Sequence, residues 1–372
     1  MKTTIRHWIA IGVMGITTTA LAAPFEVIDI AGRTVRFEDT PQRFVVGNYI
    51  ANFMMVGGAK SLDKVVGMTK DGWEATRYGE YQVFTASFPN IKTIPSIGGY
   101  HDDILNAERI LALKPDVLLI ARSQFVENNQ RLAIFEKAGI RVVVLDYHAM
   151  KPENHTQSTA ILGKLLDREA VANEQNRTYT EALRVVNERV AKLPAVAKGK
   201  RAYMELANKG IADYGNTYNK DILWGAILTH LEANSLSANN PQPYMPLDRE
   251  YVIGQNPEVI FLGGSIWLGK AESDQMRMGF TVDEKTAQAR MRGILTRAGW
   301  DRIDAVKTGE VYAVDHGSLR NMADYTFTQY MAKVLYPESF QDIDPQKNLT
   351  EFYQRYLPEL RYTATFMTKL QK

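Results

Sequence analysis

Histidine, tyrosine and arginine are the residue types in this chain best suited to holding a small ligand, so their placement is read first. Of six histidines, His101, His148 and His316 each stand just after an apolar run or in a loop-like stretch. Three imidazoles could assemble a zinc site, but no two of these stand at close ligand spacing and no histidine-rich loop joins them. Arg122 and Arg320 can each grip a carboxylate or oxyanion through two parallel donors. Tyr49, Tyr100, Tyr147, Tyr214, Tyr218 and Trp267 offer rigid contact area with a polar tip, and Asn48 and Asn208 add amides. Each has a plainer reading. In a chain that is 10% aromatic, a tyrosine or tryptophan is more often packing than contact. Arg122, beside a strand end, serves an internal ion pair equally well, and Tyr147-His148 could merely support a hinge. Nucleophile chemistry is poorly served: the chain has no cysteine, and it lacks a Gly-x-Ser-x-Gly elbow, a phosphate loop and a His-Glu-x-x-His pair.

The elements that position these residues read as α/β. Short apolar runs alternate with helical stretches. Phe25–Ile30 and Thr34–Glu38 flank Ala31-Gly32 as a hairpin. Phe44–Gly47, Val65–Met68, Val117–Ile120 and Val142–Leu145 read as buried strands. A long loop after Met68 carries Trp73, Arg77 and Tyr78. A helix over 106–113 stops at Lys114-Pro115, because proline cannot continue it. A second, over 127–138, stops at Gly139.

The chain also repeats itself. Glu108 to Ile120 (ERILALKPDVLLI) matches Glu250 to Leu262 (EYVIGQNPEVIFL) in type at each position: a helix, a proline stop, an acid, a buried strand. Val142–Asp146 matches Val311–Asp315 in the same order. One unit used twice predicts two similar lobes. Between them, Thr156–Leu193 has apolar residues at helical spacing and reads as one long helix, with a break near Asp167; the plainer alternative is two ordinary helices inside one domain. The organisation is then a leader over 1–22, a lobe over 23–153, a connecting helix over 154–196 and a second lobe over 197–372.

The leader rests on Lys2 and Arg6, a short apolar run from Trp8 to Thr19, and the small residues Ala20 and Ala22, with cleavage expected after Ala22 or Ala23. Those two cations are the only charges in residues 1–22. Without them the 44 basic residues fall to the level of the 42 acidic ones. A near-neutral mature chain argues against nucleic acid or a membrane surface as partner. About 350 residues exceed one ordinary core, which again favours two domains.

Two α/β lobes, a helical spine, a leader and the element running from Ser96-Ile97-Gly98-Gly99 through Asn106 and Glu108 to Leu113-Lys114-Pro115-Asp116 together resemble the periplasmic binding proteins for ferric siderophores, haem and cobalamin. The resemblance covers essentially the whole mature chain. It implies two similar Rossmann-like lobes, a cleft between them, little hinge motion, and docking onto an inner-membrane ABC permease dimer with its ATPase. It also implies a monomer in the periplasm, without a lipid anchor because there is no cysteine. Ligands of open α/β sheets bind beyond the carboxyl ends of the strands. That places Asn48, Tyr49, Tyr100, His101, Arg122, Tyr147, Asn208, Tyr214, Tyr218, Trp267, His316 and Arg320 at the cleft. The resemblance implies one docking acid per lobe, with Glu127 and Glu232 as candidates. A ferric siderophore or similar metal chelate is the first expected cargo, with His316 or His101 completing the metal's shell. Haem or cobalamin is second and a molybdate- or tungstate-type oxyanion third. The oxyanion needs a closed, donor-rich cavity and a siderophore an open, shallow cleft. No cofactor of its own is expected, and a two-lobed enzyme is the remote alternative.

Overall fold

The computed structural model describes residues 23–99, 103–267, 269 and 273–371. The N-terminal hairpin pairs β1 (Phe25–Ile28) with β2 (Thr34–Phe37) antiparallel. The first lobe's sheet follows. Strands β3 (Phe44–Val46), β4 (Val65–Met68), β5 (Val117–Ala121) and β6 (Arg141–Leu145) run parallel in the order β4-β3-β5-β6. β5 is buried at every position. Both its faces are covered, which is why VLLIA is uniformly apolar rather than alternating.

The second lobe is built on β7 (Arg201–Leu206), β11 (Val259–Gly264) and β13 (Val311–Asp315), all parallel. The short β9 (Asn234–Ser235) extends one edge and β15 (Met367–Lys369) closes the other antiparallel. Two small antiparallel pairs flank it: β8 (Thr217–Tyr218) with β10 (Tyr244–Met245), and β12 (Gly279–Phe280) with β14 (Ala364–Thr365).

The repeat extends to the atoms that stop and start its elements. Asn106 caps helix Ala107–Leu113 by accepting from Arg109 N–H, and Asp248 caps helix Arg249–Gln255 by accepting from Tyr251 N–H. Lys114 and Asn256, each just before the proline, turn left-handed at φ 46° and 47°. Asp116 then accepts from the backbone N–H of Arg43 at 2.9 Å, and Glu258 from that of Arg201 at 3.0 Å. In both lobes the acid after the proline thus fastens the start of the neighbouring strand. That is why the sequence holds a carboxylate there twice.

Two sequence expectations change. The connector is two helices, Pro152–Leu166 and Glu169–Lys192. The break lies where expected, with Asp167 left-handed at φ 55°. The halves fold back on each other: Asn176 Nδ2 donates to Thr156 O at 2.9 Å, and the His155 and Tyr179 rings stack at 5.5 Å. Gly163 allows this closeness, since a Cβ there would lie 2.6 Å from Ala172 Cβ. The helix expected over 127–138 is also divided. Gln124 Oε1 accepts from Ala121 N–H and starts a helix directly at the strand end, Arg122–Glu127. Asn128 Nδ2 takes Gln124 O and Asp103 O and turns the chain before helix Asn129–Lys137. Glu127 therefore ends a helix rather than opening one.

One apolar cluster runs from the inner face of the first sheet (Phe44, Leu119) through the helical hairpin (Leu162, Leu183) to the second lobe (Phe261, Phe327). The outer faces carry separate clusters around Phe135 and Trp300. The lobes also touch directly. Tyr78 N–H donates to Ile266 O at 2.9 Å, and Phe84 meets Phe280 edge-on at 6.2 Å. Gly79 packs on the Phe280 carbonyl, with no room for a Cβ.

Candidate functional site

The carboxyl ends of the two sheets face each other across a small cavity of about 50 Å³. Asn48, Tyr49, Asn52, Arg77 and Glu80 line it from the first lobe, and Arg320 from the second.

On the first-lobe side, β3 ends at Gly47. A Cβ there would stand 2.9 Å from Gln124 Oε1, so the position stays small. Tyr49 then turns left-handed at φ 64° into helix Ile50–Gly57, which brings its ring back over the sheet. Its hydroxyl meets His148 Nδ1 at 2.8 Å and its ring packs edge-on against Tyr147. Burial, reinforced by the Asp146 carboxylate, pushes the Tyr49 hydroxyl well above the usual phenol range, so it stays protonated. Arg77 stands 3.7 Å from Glu80, which also accepts from Trp73 Nε1 at 2.8 Å. Burial raises the Glu80 carboxyl against the opposing pull of Arg77.

On the second-lobe side, β13 ends in Asp315 and a 3-10 turn, His316–Ser318. Arg320 follows in a left-handed conformation, φ 74°, which a non-glycine residue adopts only when held. Asp324 Oδ2 accepts its N–H at 3.2 Å, and Asn52 Nδ2 of the other lobe donates to its carbonyl at 3.0 Å. His155, from the helical hairpin, contacts the same Asp324 oxygen at 3.1 Å. The guanidinium touches His316 twice: Nη1 to the carbonyl at 3.3 Å and Nη2 to Nε2 at 3.1 Å. Trp224 Nε1 donates to His316 Nδ1 at 3.0 Å, and Tyr218 stacks on the ring at 5.8 Å.

Two cations thus converge on one space. Both His148 and His316 are held well below the ordinary imidazole range, first by burial and then by the Arg320 and Arg77 charges. Both are neutral at pH 7. Behind the cavity, burial raises Asp315 to about 6, opposed by the Ser318 hydroxyl. Chemically, the arrangement sets charged and neutral donors from both lobes around one small space, a layout suited to an acceptor-rich anion. Among the described residues no group of three or more histidine, aspartate and glutamate side chains could hold a metal ion.

Of the residues singled out in the sequence, Asn48, Tyr49 and Arg320 line the cavity. Tyr147, Tyr218 and His316 form the aromatic wall behind it, with the Tyr147 hydroxyl on Thr159 Oγ1 at 2.9 Å. Tyr100 and His101 lie outside the described residues. Arg122 is exposed at the start of its helix and Trp267 is half-buried away from the cavity lining. Asn208 and Tyr214 belong to a loop folded over Arg297, whose guanidinium carbon lies 4.6 Å from the Tyr214 ring. Glu127 is exposed. Glu232 pairs with Lys198 at 2.9 Å, and its carbonyl accepts from Gly199 N–H just before β7. This is the amino end of the second sheet, the end opposite the cleft. Arg77, Glu80, Asn52 and Trp224 were not among the sequence candidates. Arg77 was visible only as part of a long loop, and Asn52 sits inside a helix.

Residues 56–316 match the sequence profile of the family described as periplasmic binding protein. The crystal structure of the TroA-like periplasmic binding protein FepB from Veillonella parvula superposes with a TM-score of 0.87 at 31% identity, covering 93% of this chain and 99% of that one. The molybdate-binding protein MolA of Haemophilus influenzae is 24% identical over 272 residues, 68% of this chain and 70% of its own length. Its molybdate-bound structure superposes with a TM-score of 0.67 at 18% identity, covering 91% and 99% of the two chains.

Proposed function

We propose, given that this chain belongs to the periplasmic binding protein family, that it captures a compact anion between its lobes and presents it to a membrane importer. The chain is a class III, TroA-like solute-binding protein of the ABC-importer superfamily. Such a protein binds and releases its ligand unchanged, in the periplasm, in partnership with a permease and its ATPase. The finer reading concerns the ligand. Its single carrying observation is that Arg77 and Arg320, one from each lobe, line the same small cavity of about 50 Å³. Since a water-sized body needs about 10–15 Å³ measured in this way, the space holds roughly four of them. That is the size of a tetrahedral oxyanion. Haem, cobalamin and siderophores need several hundred Å³, on the order of 300–1,000. A molybdate- or tungstate-type oxyanion, third in the order expected from sequence, therefore moves to first. The likeness to MolA supports this choice.

An anionic metal chelate is the second reading. It is favoured by the same two arginines, which can hold the carboxylates of a chelate as well as an inorganic anion. Docking through an acid on each lobe remains part of the proposal for Glu127. The second-lobe acid is a residue other than Glu232, which stands at the far end of its sheet.

Calorimetry of the purified protein against molybdate, tungstate, sulfate, phosphate, a ferric siderophore, haemin and cobalamin tests the reading. Saturable binding of a tetrahedral oxyanion is expected, accompanied by a change in tryptophan fluorescence from Trp73, which is hydrogen-bonded to Glu80 at the cavity. Binding of a chelate with no oxyanion response would replace the first reading with the second.

A further inference from the structure

His316 has its two ring nitrogens approached by two groups that can only donate. Trp224 Nε1–H lies 3.0 Å from Nδ1, and Arg320 Nη2 lies 3.1 Å from Nε2. A neutral imidazole carries one lone pair and one N–H, so it can accept from one of them and not from both. The indole is fully buried and fixed in the core against Phe327 at 5.7 Å. Among the described residues its N–H has no other acceptor, and leaving it unmatched costs about 1–3 kcal/mol. The guanidinium has several donors and borders the cavity. Tyr218 hydroxyl, which burial keeps protonated, also stands on the Nδ1 side at 3.4 Å. Burial and the two arginine charges keep the imidazole itself neutral.

We infer that Trp224 fixes His316 as the tautomer protonated on Nε2, so that His316 acts as an N–H donor beside Arg320 and not as a metal ligand. The 3.1 Å between Nε2 and Nη2 is then a donor facing a donor. An oxygen of a bound anion resolves it by accepting from both. The inference rests on the anion reading above and sharpens it: the second-lobe wall takes an acceptor atom, whether from an inorganic oxyanion or from the carboxylate of a chelate, and rejects a bare divalent cation. Coordination through Nε2 would need that nitrogen's lone pair while Trp224 holds the other, which only an imidazolate could supply. Trp224 is accordingly a positioning residue that acts through His316.

Nitrogen-15 NMR of the histidine side chains of the ligand-free protein at pH 7 tests this without any ligand. The expected spectrum shows His316 with its proton on Nε2. A proton on Nδ1, or on both nitrogens, would overturn the inference. Trp224→Phe keeps an aromatic ring in the core but removes the donor. It is expected to give a mixture of tautomers and to weaken molybdate binding about tenfold, whereas an unchanged Nε2–H signal would show that the indole does not set the tautomer. Should that variant fail to fold, zinc titration of the wild type and His316→Gln decides. Equal zinc affinities are expected, and zinc binding lost in His316→Gln would overturn the donor role. An Nε2–H signal in a protein that binds no oxyanion would leave this inference standing and remove the ligand reading instead.

Discussion

The two lobes meet the same architectural demand with different chemistry. Each must hold the loops beyond its strands in place so that they can face the cleft. At the end of β3 the first lobe has Gly47. The space its side chain would occupy is filled by Gln124, whose amide takes Gly47 O and Gly99 O at 2.8 Å and accepts from Ala121 N–H. The matching position of β7 is Glu205. Its carboxylate is fully buried and pairs with Arg297 at 2.7 and 2.9 Å, while accepting from Gly215 N–H and Tyr203 hydroxyl. Arg297 in turn ties down Gly210 O and Asp213 O. A neutral amide in one lobe does what a buried ion pair does in the other. The difference teaches where each lobe is vulnerable. An amide removed leaves three backbone groups to find water or one another. A carboxylate removed leaves an arginine charge buried without its counter-ion, which is far more costly.

Breaking the ion pair should therefore give the largest effect. Glu205→Ala is expected to destabilise by about 3–5 kcal/mol, measured by urea unfolding, and an effect no larger than that of Gln124→Ala would erase the contrast. The second test uses the acids after the last parallel strand of each lobe. Asp146 accepts from His148 N–H, Ala149 N–H and Asn154 Nδ2. Asp315 accepts from Ser318 hydroxyl at 2.6 Å and is raised to about 6 by burial. Its folded value lies above its unfolded one, so the native state binds the proton more tightly. The protein should lose roughly 3 kcal/mol of stability as pH rises from about 4 through 6. Asp315→Asn should flatten that part of the stability profile, and an unflattened profile would point to another group.

Arg320→Ala comes next. Loss of a charge-assisted contact of about 1.5–3 kcal/mol should weaken oxyanion binding between ten- and a hundred-fold, with the fold intact by circular dichroism. Arg122→Ala, on the exposed first-lobe helix, should leave affinity unchanged, and equal losses from both would disprove the assignment of the cavity. The smallest expected loss of stability is that of Gln124→Ala, about 1–3 kcal/mol, with the second lobe's unfolding unaffected in hydrogen exchange.

What the sequence revealed of this architecture follows from which physical signals are local. Lys114-Pro115-Asp116 and Asn256-Pro257-Glu258 could be matched because a helix stop, a proline and a strand-fastening acid are all decided within a few residues. The helical hairpin was half legible: Asp167 marked the break, but that the halves fold back shows only in contacts distant in sequence, such as Asn176–Thr156 and Gly163–Ala172. Arg320 and Tyr49 were found because they follow strand ends. Asn52 was not, because an asparagine within a helix reads as solvent-facing until the other lobe covers it to 3% exposure. Arg77 escaped for a similar reason, since it lies between two short helices, Asp71–Thr76 and Tyr78–Ser87, rather than at a strand end. Asn208 and Tyr214 satisfied the strand-end rule and still turned away, because Arg297 gathers their loop around its own charge.

The peptide unit of Arg320 is held at both ends by different bodies, its N–H by Asp324 and its carbonyl by Asn52 of the opposite lobe. Together with the Tyr78–Ile266 bond, this ties the two lobes to each other directly beside the cavity. On the proposed reading, a transporter that spreads the lobes would have to break these neutral hydrogen bonds, each contributing about 1 kcal/mol net, together with the Phe84–Phe280 packing. The same tug that parts Asn52 from Arg320 frees the backbone that aims the guanidinium. On the anion reading, the grip would slacken in the same motion that opens the exit, which would make residence time a property of the docked complex rather than of the ligand alone.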